Sequence, residues 1–340
     1  VNFDFSDEQY AVRDVAREVF EREWSPARLR ERWESPEPGD RRVWKALADV
    51  GILGLTTPED HGGLGGNEID LVLVLEEAGR AGIPDPLIDT VAVAAPLLAE
   101  AEDAHAEWLG RISSGDASGS VQLEGVPFVQ DADVVDFVIA QDDEELHLVP
   151  QENVRSTPMA SEDRSRRLFT VQADMSQKNR VTKEASAVET ARSRGASATA
   201  SFLNGISLRL LEMTLDHVKA RQQFGRPVGS FQAVKHKLAS VHVAVEAARS
   251  AAWYAAYALA RRLPDAHPAA SAAKAAAADA AALAGTEALQ CHGGIGFTWE
   301  HDLHLWLKRA KALEPSYGSA SEHRQRRALN LFERTAIDDT

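Results

Sequence analysis

The chain has 340 residues, 44% hydrophobic and 26% charged, a composition ordinary for a globular protein and long enough for two or three subdomains. Its net charge of −15 argues against a nucleic-acid partner, since phosphate binding draws on clustered Lys and Arg, but leaves room for a local basic pocket around an anionic cofactor. The single Cys291 excludes an internal disulfide framework. No run of about 20 apolar residues reads as a membrane span and no basic-then-apolar leader opens the chain, so the expected location is cytoplasmic, with no membrane partner.

Ser6, with Gln9 three residues on, is a capping-box pattern, and Tyr10, Val12, Val15, Ala16, Val19 and Phe20 then supply an apolar helix face. Pro26 and the Ser35-Pro-Glu-Pro-Gly39 cluster punctuate the first helices over 6–34. Further helices are predicted over 43–50, 68–79 and 89–101. The loop at 56–67 carries four glycines; it lacks a Walker-type lysine and follows no clear strand, so it reads as structural rather than as a phosphate cradle. Near residue 115 the pattern changes to short β-prone runs at 118–124, 134–140, 145–149 and 168–173, ending around residue 184. The polar 177–193 stretch reads as a flexible link. Helical spacing then returns over 186–220, where Phe202, Ile206, Leu210, Met213 and Val218 recur, and continues over 232–263 and 269–289. The expected domains are 1–114 (helical), 115–185 (a shortened middle β-domain) and 186–340 (a helical bundle). The Ala-rich 250–289 stretch is expected to be an interface that needs a partner.

Two glycine-punctuated turns interrupt the later helices: Arg221-Gln-Gln-Phe-Gly-Arg-Pro-Val-Gly-Ser-Phe-Gln232 and Gln290-Cys-His-Gly-Gly-Ile-Gly-Phe297. Arginine with exposed backbone N–H groups suits a pyrophosphate, because the guanidinium offers fixed donors and glycine lets the anion approach the backbone. The alternative is a pair of helix-ending turns with a solvated arginine.

The two segments resemble the C-terminal helical domain of the flavin-dependent acyl-CoA dehydrogenases, whose pattern is R-x-x-F-G-x-x-[aliphatic]-x-x-[aromatic]-Q followed by Q-x-x-G-G-x-G-[aromatic]. Phe3-Asp-Phe-Ser-Asp-Glu-Gln9 and Pro58-Glu-Asp-His-Gly-Gly-Leu-Gly65 are similar to that family's opening and its loop after the second helix, so the resemblance covers 1–112 and 186–334. It implies a mainly α fold with a small middle β-domain and a C-terminal four-helix bundle. It also implies FAD as cofactor, an acyl-CoA substrate and an electron-transfer flavoprotein-type acceptor. Carried onto this chain, Arg221 would pair with the FAD pyrophosphate and Phe224 would pack near the adenosine. Gln290 and the Gly293–Gly294 backbone would finish the ADP site, with Gln223 and Gln232 in the same set.

The departures from the family pattern are as informative. Between Gly115 and Ser186 there is neither the T-E-P-x-x-G-S-D-like nor the W-[IV]-[TS]-N-like segment that grips the flavin ring, and no Trp. Family chemistry needs a carboxylate at the substrate α-carbon. Ser316-Tyr-Gly-Ser-Ala320 puts Tyr317 where most members carry that Glu, and a phenol of pKa about 10 is a poor base near neutrality. The alternative position, near Arg194-Gly-Ala196, holds no acid. Glu212, Asp216, Glu300 and Asp302 read as solvated or salt-bridged. His301 and His304 beside Asp302 lack a further ligand, so no metal site is expected. The basic 308–311 and 324–327 stretches read as surface or subunit contact, and Trp299 and Trp306 as packing. The resemblance therefore points to the non-catalytic subunit of a bacterial heteromeric (α2β2) steroid-CoA-type enzyme. Such a chain lends the ADP half of the FAD site to a homologous catalytic subunit that binds most of the acyl-CoA. The competing expectations are a self-sufficient homomeric enzyme with a rearranged site and a cofactor-free scaffold.

Overall fold

In the computed structural model the predicted capping box is closed: Gln9 N donates to Ser6 Oγ at 3.2 Å and Ser6 N donates to Gln9 Oε1 at 2.9 Å, opening α1 (Asp7–Glu23). The structure describes residues 4–35, 38, 41–101, 105–126 and 128–338, the side chains of 330–338 excepted. Phe3, Pro36, Glu37 and Gly39 of the patterns above lie outside the described residues. After α2 (Pro26–Glu34) and α3 (Arg42–Asp49), the glycine-rich loop folds on itself, with Gly66 N donating to Leu55 O at 2.8 Å. A side chain at Gly63 would meet the Thr57 carbonyl at 2.0 Å, so this loop is built for close packing. α4 (Glu68–Ala81) follows. A rare π-helical stretch, Ile88–Ala94, then runs into α5 (Ala95–Ala99), and α6 (Ala106–Ser113) comes before the strands.

The middle region holds two small sheets. The strands are β1 (Gly119–Gln122), β2 (Val129–Gln130), β3 (Phe137–Asp142), β4 (Glu145–Pro150), β5 (Val154–Met159), β6 (Leu168–Ala173) and β7 (Arg180–Thr182). The first sheet runs β1-β3-β4-β7, with β1 parallel to β3 and the other pairs antiparallel; the second, β2-β6-β5, is antiparallel throughout. Alternation along β3 explains how the sheets sit. Phe137 and Ile139 enter the main helical core while Val138 and Ala140 join a separate core between the sheets with Val149 and Phe169. The 177–193 stretch is not a free link. Arg180–Thr182 closes the edge of the first sheet, and α7 has begun by Ala185.

The C-terminal part comprises α7 (Ala185–Ala220), the hairpin β8 (Gln222–Gln223) and β9 (Arg226–Pro227), α8 (Gln232–Ala260), α9 (Ala266–His292), α10 (Leu303–Leu313) and α11 (Ala320–Asp338). α7 is the hub, packing on α4, α8, α9 and α10 and buried on every side from residue 191 to 207. Its buried hydroxyls return to their own helix: Thr199 to Gly195 O at 2.7 Å, Ser207 to Leu203 O at 2.7 Å, Thr214 to Leu210 O at 2.6 Å. Most alanines of 250–289 are covered within the chain itself, Ala282 being exposed. Ala270, Ala273, Ala277 and Ala284 are buried in the core, and α9 lies against α7, α8 and α11, because small side chains let the axes approach. No helix among the described residues is long and apolar enough to cross a membrane.

The 308–311 stretch is not a plain basic surface. Arg309 is 2% exposed and its Nε pairs with Asp163, while it donates to Ile83 O and Ser165 Oγ, each at 2.6 Å. Trp33 Nε1 donates to the same Asp163 at 2.9 Å. Trp306 is buried, with Nε1 donating to Arg80 O at 3.1 Å, whereas Trp299 packs edgewise on His304 while staying exposed.

At the α4–α7 crossing, facing glycines bring backbone to backbone. A Cβ on Gly79 would fall 2.0 Å from Phe202 O, and one on Gly205 would fall 1.9 Å from Glu76 O. Gly205→Ala is expected to destabilise the chain by about 1–3 kcal/mol, the usual cost of overpacking, which exceeds the gain of about 1 kcal/mol in helix propensity. Urea denaturation checks this; an unchanged or raised midpoint would show that the helices separate freely.

Candidate functional site

The two turns flagged in the sequence end α7 and α9, two long helices of the bundle. Arg221 caps α7 with extended backbone (φ −73°, ψ 125°), its N–H donating to His217 O and its carbonyl accepting from Val228 N, both at 2.8 Å. Gln223 pairs with Arg226 across the hairpin, so Phe224 and Gly225 form its tip with φ of 54° and 76°. Two successive positive φ values are what a tight hairpin turn requires. The tip is thrust outward, leaving the Phe224 ring 91% exposed. Arg221, Gln223 and Gln232 are likewise exposed, and the Arg221 guanidinium takes no carboxylate partner among the described residues.

The second segment is similar in character. Gln290 lies exposed in the last turn of α9, and Gly293 (φ 63°) and Gly294 have open space where a Cβ would stand. Ile295 and Phe297, the latter 75% exposed, follow. The roots of the two segments meet: His217, one turn before Arg221, stacks on His292, one residue before Gly293, with ring centroids 4.3 Å apart. Arginine without an ion-pair partner, amide side chains and accessible glycine backbone form a donor set that fits the ADP portion of a dinucleotide.

Tyr317 sits in a different environment. It is buried, with φ of 56°, and its hydroxyl donates to Asp89 Oδ1 at 2.6 Å while Val121 N donates to Asp89 Oδ2 at 3.1 Å. Burial first, and Asp89 second, push the phenol well above its ordinary pKa; burial also raises Asp89, against the hydrogen bond from Tyr317. The two positions at which the resemblance would place a base converge here, since a Cβ on Gly195 would lie 2.1 Å from the Tyr317 ring. Arg166 enters from the middle region, donating through Nε to Gln130 Oε1 at 2.9 Å and through Nη1 to Ala312 O at 3.0 Å. Gln130 in turn donates to Pro84 O. What is left is a cavity of about 40 Å³ bounded by Asp89, Gln130, Arg166, Phe202 and Tyr317. A single water needs about 10–15 Å³ of such space, so the cavity admits a few waters. The larger cleft of about 1020 Å³ beside Arg180 and Arg194 is mainly polar; Arg194 there is tied to Glu68 at 2.7 Å and Glu100 at 2.8 Å.

Comparison with known proteins identifies the fold. Residues 6–116 match the model described as acyl-CoA dehydrogenase, N-terminal domain, and residues 187–330 match acyl-CoA dehydrogenase, C-terminal domain. The chain is 35% identical over 305 residues to acyl-CoA dehydrogenase IpdE2 of Mycobacterium tuberculosis, covering 89% of this chain and 91% of that protein. The chain belongs to the acyl-CoA dehydrogenase family. Among solved structures it superposes on a chain of the ChsE4–ChsE5 complex from Mycobacterium tuberculosis with a TM-score of 0.87 at 25% identity, covering 98% of this chain and 99% of that one. A chain of the Tcur3481–Tcur3483 steroid ACAD gives 0.86 at 26% identity, covering 97% and 99%.

Within this acyl-CoA dehydrogenase fold, two of the other acids flagged in the sequence are paired, Glu212 with Arg80 at 2.9 Å and Asp302 with Arg30 at 2.5 Å, and Asp216 and Glu300 are exposed. His301 lies near His217 and His292, while His304 packs against Trp33 and Trp299. Asp89, Gln130 and Arg166 were not singled out from the sequence, because they meet only through tertiary structure. Asp89 had one local cue, its place on a helical run that turns out to be π-helical. His217 and His292 flank the two recognised segments and could have been noticed on that ground.

The Tyr317 turn is held from behind. His323 Nε2 donates to Tyr317 O at 3.0 Å, its Nδ1 accepts from Ser271 Oγ at 3.1 Å, and Lys274 Nζ donates to Glu314 O at 2.6 Å and Gly318 O at 2.9 Å. Burial, with Lys274 nearby, holds His323 down to a pKa of about 4. The folded value lies below the ordinary value of about 6.5, so the unfolded chain binds more protons between the two and stability falls as pH drops through that window. Denaturation midpoints measured from pH 7 to pH 4 are expected to fall, with a shallower slope in His323→Gln; equal slopes would remove His323 as a cause.

Proposed function

We propose that this chain is the subunit of a heteromeric acyl-CoA dehydrogenase that completes the ADP half of an FAD site on a homologous catalytic chain and does not abstract the substrate proton itself. Its three domains would be 1–114, 115–185 and 186–340. The observation that carries the reading is the contrast between the two halves of the site. The Arg221 and Gly293 segments are open and unpaired, whereas the cavity at Tyr317, about 40 Å³, is too small for a flavin ring or an acyl thioester. Arg221 would hold the pyrophosphate by charge-assisted hydrogen bonds. Gln290 and the Gly293–Gly294 backbone would donate to the same anion or its ribose, and Phe224, held outward at the hairpin tip, would cover the adenine. When bound, FAD supplies the hydride acceptor for α,β-desaturation of the acyl-CoA, with an electron-transfer flavoprotein-type acceptor downstream. The exposed Phe224, Ile295 and Phe297 around these segments support a protein partner. The neighbouring complexes ChsE4–ChsE5 and the Tcur3481–Tcur3483 steroid ACAD support a second acyl-CoA dehydrogenase chain in that place, and the second of them supports a steroid CoA thioester as substrate class.

One observation favours a second reading. Asp89 is a buried carboxylate with a raised pKa beside the family's base position, so a self-sufficient enzyme would use Asp89 with Tyr317 as its base. The two readings separate on flavin content. The first expects a colourless chain when purified alone and about one FAD per pair of unlike chains on co-expression. In that complex Arg221→Ala is expected to lower flavin affinity by about tenfold or more, the loss of a charge-assisted contact of about 1.5–3 kcal/mol. Stoichiometric FAD in the lone chain, with dye-coupled acyl-CoA oxidation abolished by Asp89→Asn, would establish the second.

A further inference from the structure

His217 in the last turn of α7, His292 at the end of α9 and His301 in the following loop come together although they lie 75 and 9 residues apart along the chain. One ring nitrogen from each lies within 4.8 Å of the other two. Besides the His217–His292 stack, the His292 and His301 ring centroids are 4.7 Å apart. We propose that these three imidazoles form a binding site for a late first-row transition-metal ion of the zinc class. The ion would tie the ends of α7 and α9 together beneath the Arg221 and Gly293 segments.

The middle ligand is the best prepared. His292 Nδ1 donates to Ala288 O at 2.8 Å, which fixes the tautomer and leaves the lone pair on Nε2. That Nε2 is buried and has no hydrogen-bond partner. A ring whose Nδ1–H is spent on a carbonyl presents Nε2 as an unprotonated acceptor, the form a metal requires. His217 makes no side-chain hydrogen bond among the described residues. His301 accepts the Leu303 N–H at Nδ1 over 3.1 Å, and ligation through that nitrogen exchanges this contact for a metal bond. Three nitrogens from protein with one position left to water is a recognised zinc arrangement, needing a contraction to metal–nitrogen distances of about 2.0–2.1 Å. The site has no oxygen ligand, which disfavours calcium and magnesium. Arg221 lies within electrostatic reach of His217 and opposes positive charge there, so only a metal with strong imidazole bonds would hold.

The test uses the full chain, stripped with chelator and titrated with zinc chloride in calorimetry. One zinc ion per chain is expected. His217→Gln and His301→Gln should each weaken binding by more than the factor of about 10–100 that loss of an outer-shell partner costs. His242→Gln, on the exposed face of α8, should bind as the parent does. X-ray absorption of the zinc-loaded parent should show three imidazole ligands, a readout that needs no variant to fold. No saturable binding, affinity in the His217 and His301 variants equal to the parent's, or fewer than three imidazoles at the metal would overturn the site and leave the cluster as packed neutral rings. Neither flavin nor partner enters these measurements, so their failure is separate from failure of the split-site reading.

Discussion

The pairing of Arg309 with Asp163 is the constraint on which the rest of the molecule is arranged. Both groups are almost wholly buried, so each carries a desolvation cost that only a close, fully hydrogen-bonded partner balances; leaving one alone costs about 3–5 kcal/mol. Each guanidinium nitrogen of Arg309 is therefore committed: Nε to Asp163, Nη2 to Ser165 and Nη1 to the Ile83 carbonyl. Asp163 also accepts from Trp33 and from Ser165 N. Burial works against its charge, yet Arg309 and these donors keep the carboxyl below its ordinary pKa. One ion pair thus joins α10, α2, the end of α4 and the segment before β6. Its net contribution to stability is modest, but its geometry leaves the middle sheets one way to dock.

That docking decides what happens three residues further on. With Asp163 held, Arg166 points into the space between the helices and the sheets, where Gln130 and the Ala312 carbonyl take its protons. Burial and the neighbouring Arg309 both disfavour its charge, and Asp163 and Asp89 favour it. The filling of the cavity at Tyr317 is therefore continuous with the fastening of the middle region, not a local accident of one side chain.

Much of the fold was legible because it is written locally. Ser6 and Gln9 close their capping box, and the long helices start and stop near the residues their spacing and glycines indicate. What escaped was set by contacts across the chain. β2 has two residues and β7 three, too short for a period to emerge, and each is a strand only because a partner lies beside it. The alanines of α9 read as an unpartnered face because alternation says nothing about which neighbour covers a small residue. Arg309 read as surface because a basic run on a helix usually is; the acid that buries it is 146 residues away. At the site, the Arg221 and Gly293 segments were visible because a turn carries its donors in consecutive residues. Asp89, Arg166 and the meeting of His217, His292 and His301 depend on elements that only the folded chain brings together.

The base position shows how far such convergence binds the sequence. Gly195 leaves room for the Tyr317 ring, and the phenol in turn gives the buried Asp89 a hydrogen-bond donor. A carboxylate at 317 would remove that donor and face Asp89 directly, where like charges in a buried site drive one of the pair to stay protonated. A carboxylate at 195 would have to occupy the volume of the Tyr317 ring, with a first side-chain atom 2.1 Å from it. An acid at either position therefore requires changes at the other and at Asp89 as well, while Arg166 still fills the adjoining space. No such coupling restrains the tip of the Arg221 hairpin and the start of the Gly293 turn, where Gly225, Gly293 and Gly294 face open space. The two regions consequently differ in how they can change: one is locked by mutual packing among Asp89, Arg166, Gly195 and Tyr317, and the other is a surface free to fit whatever approaches it.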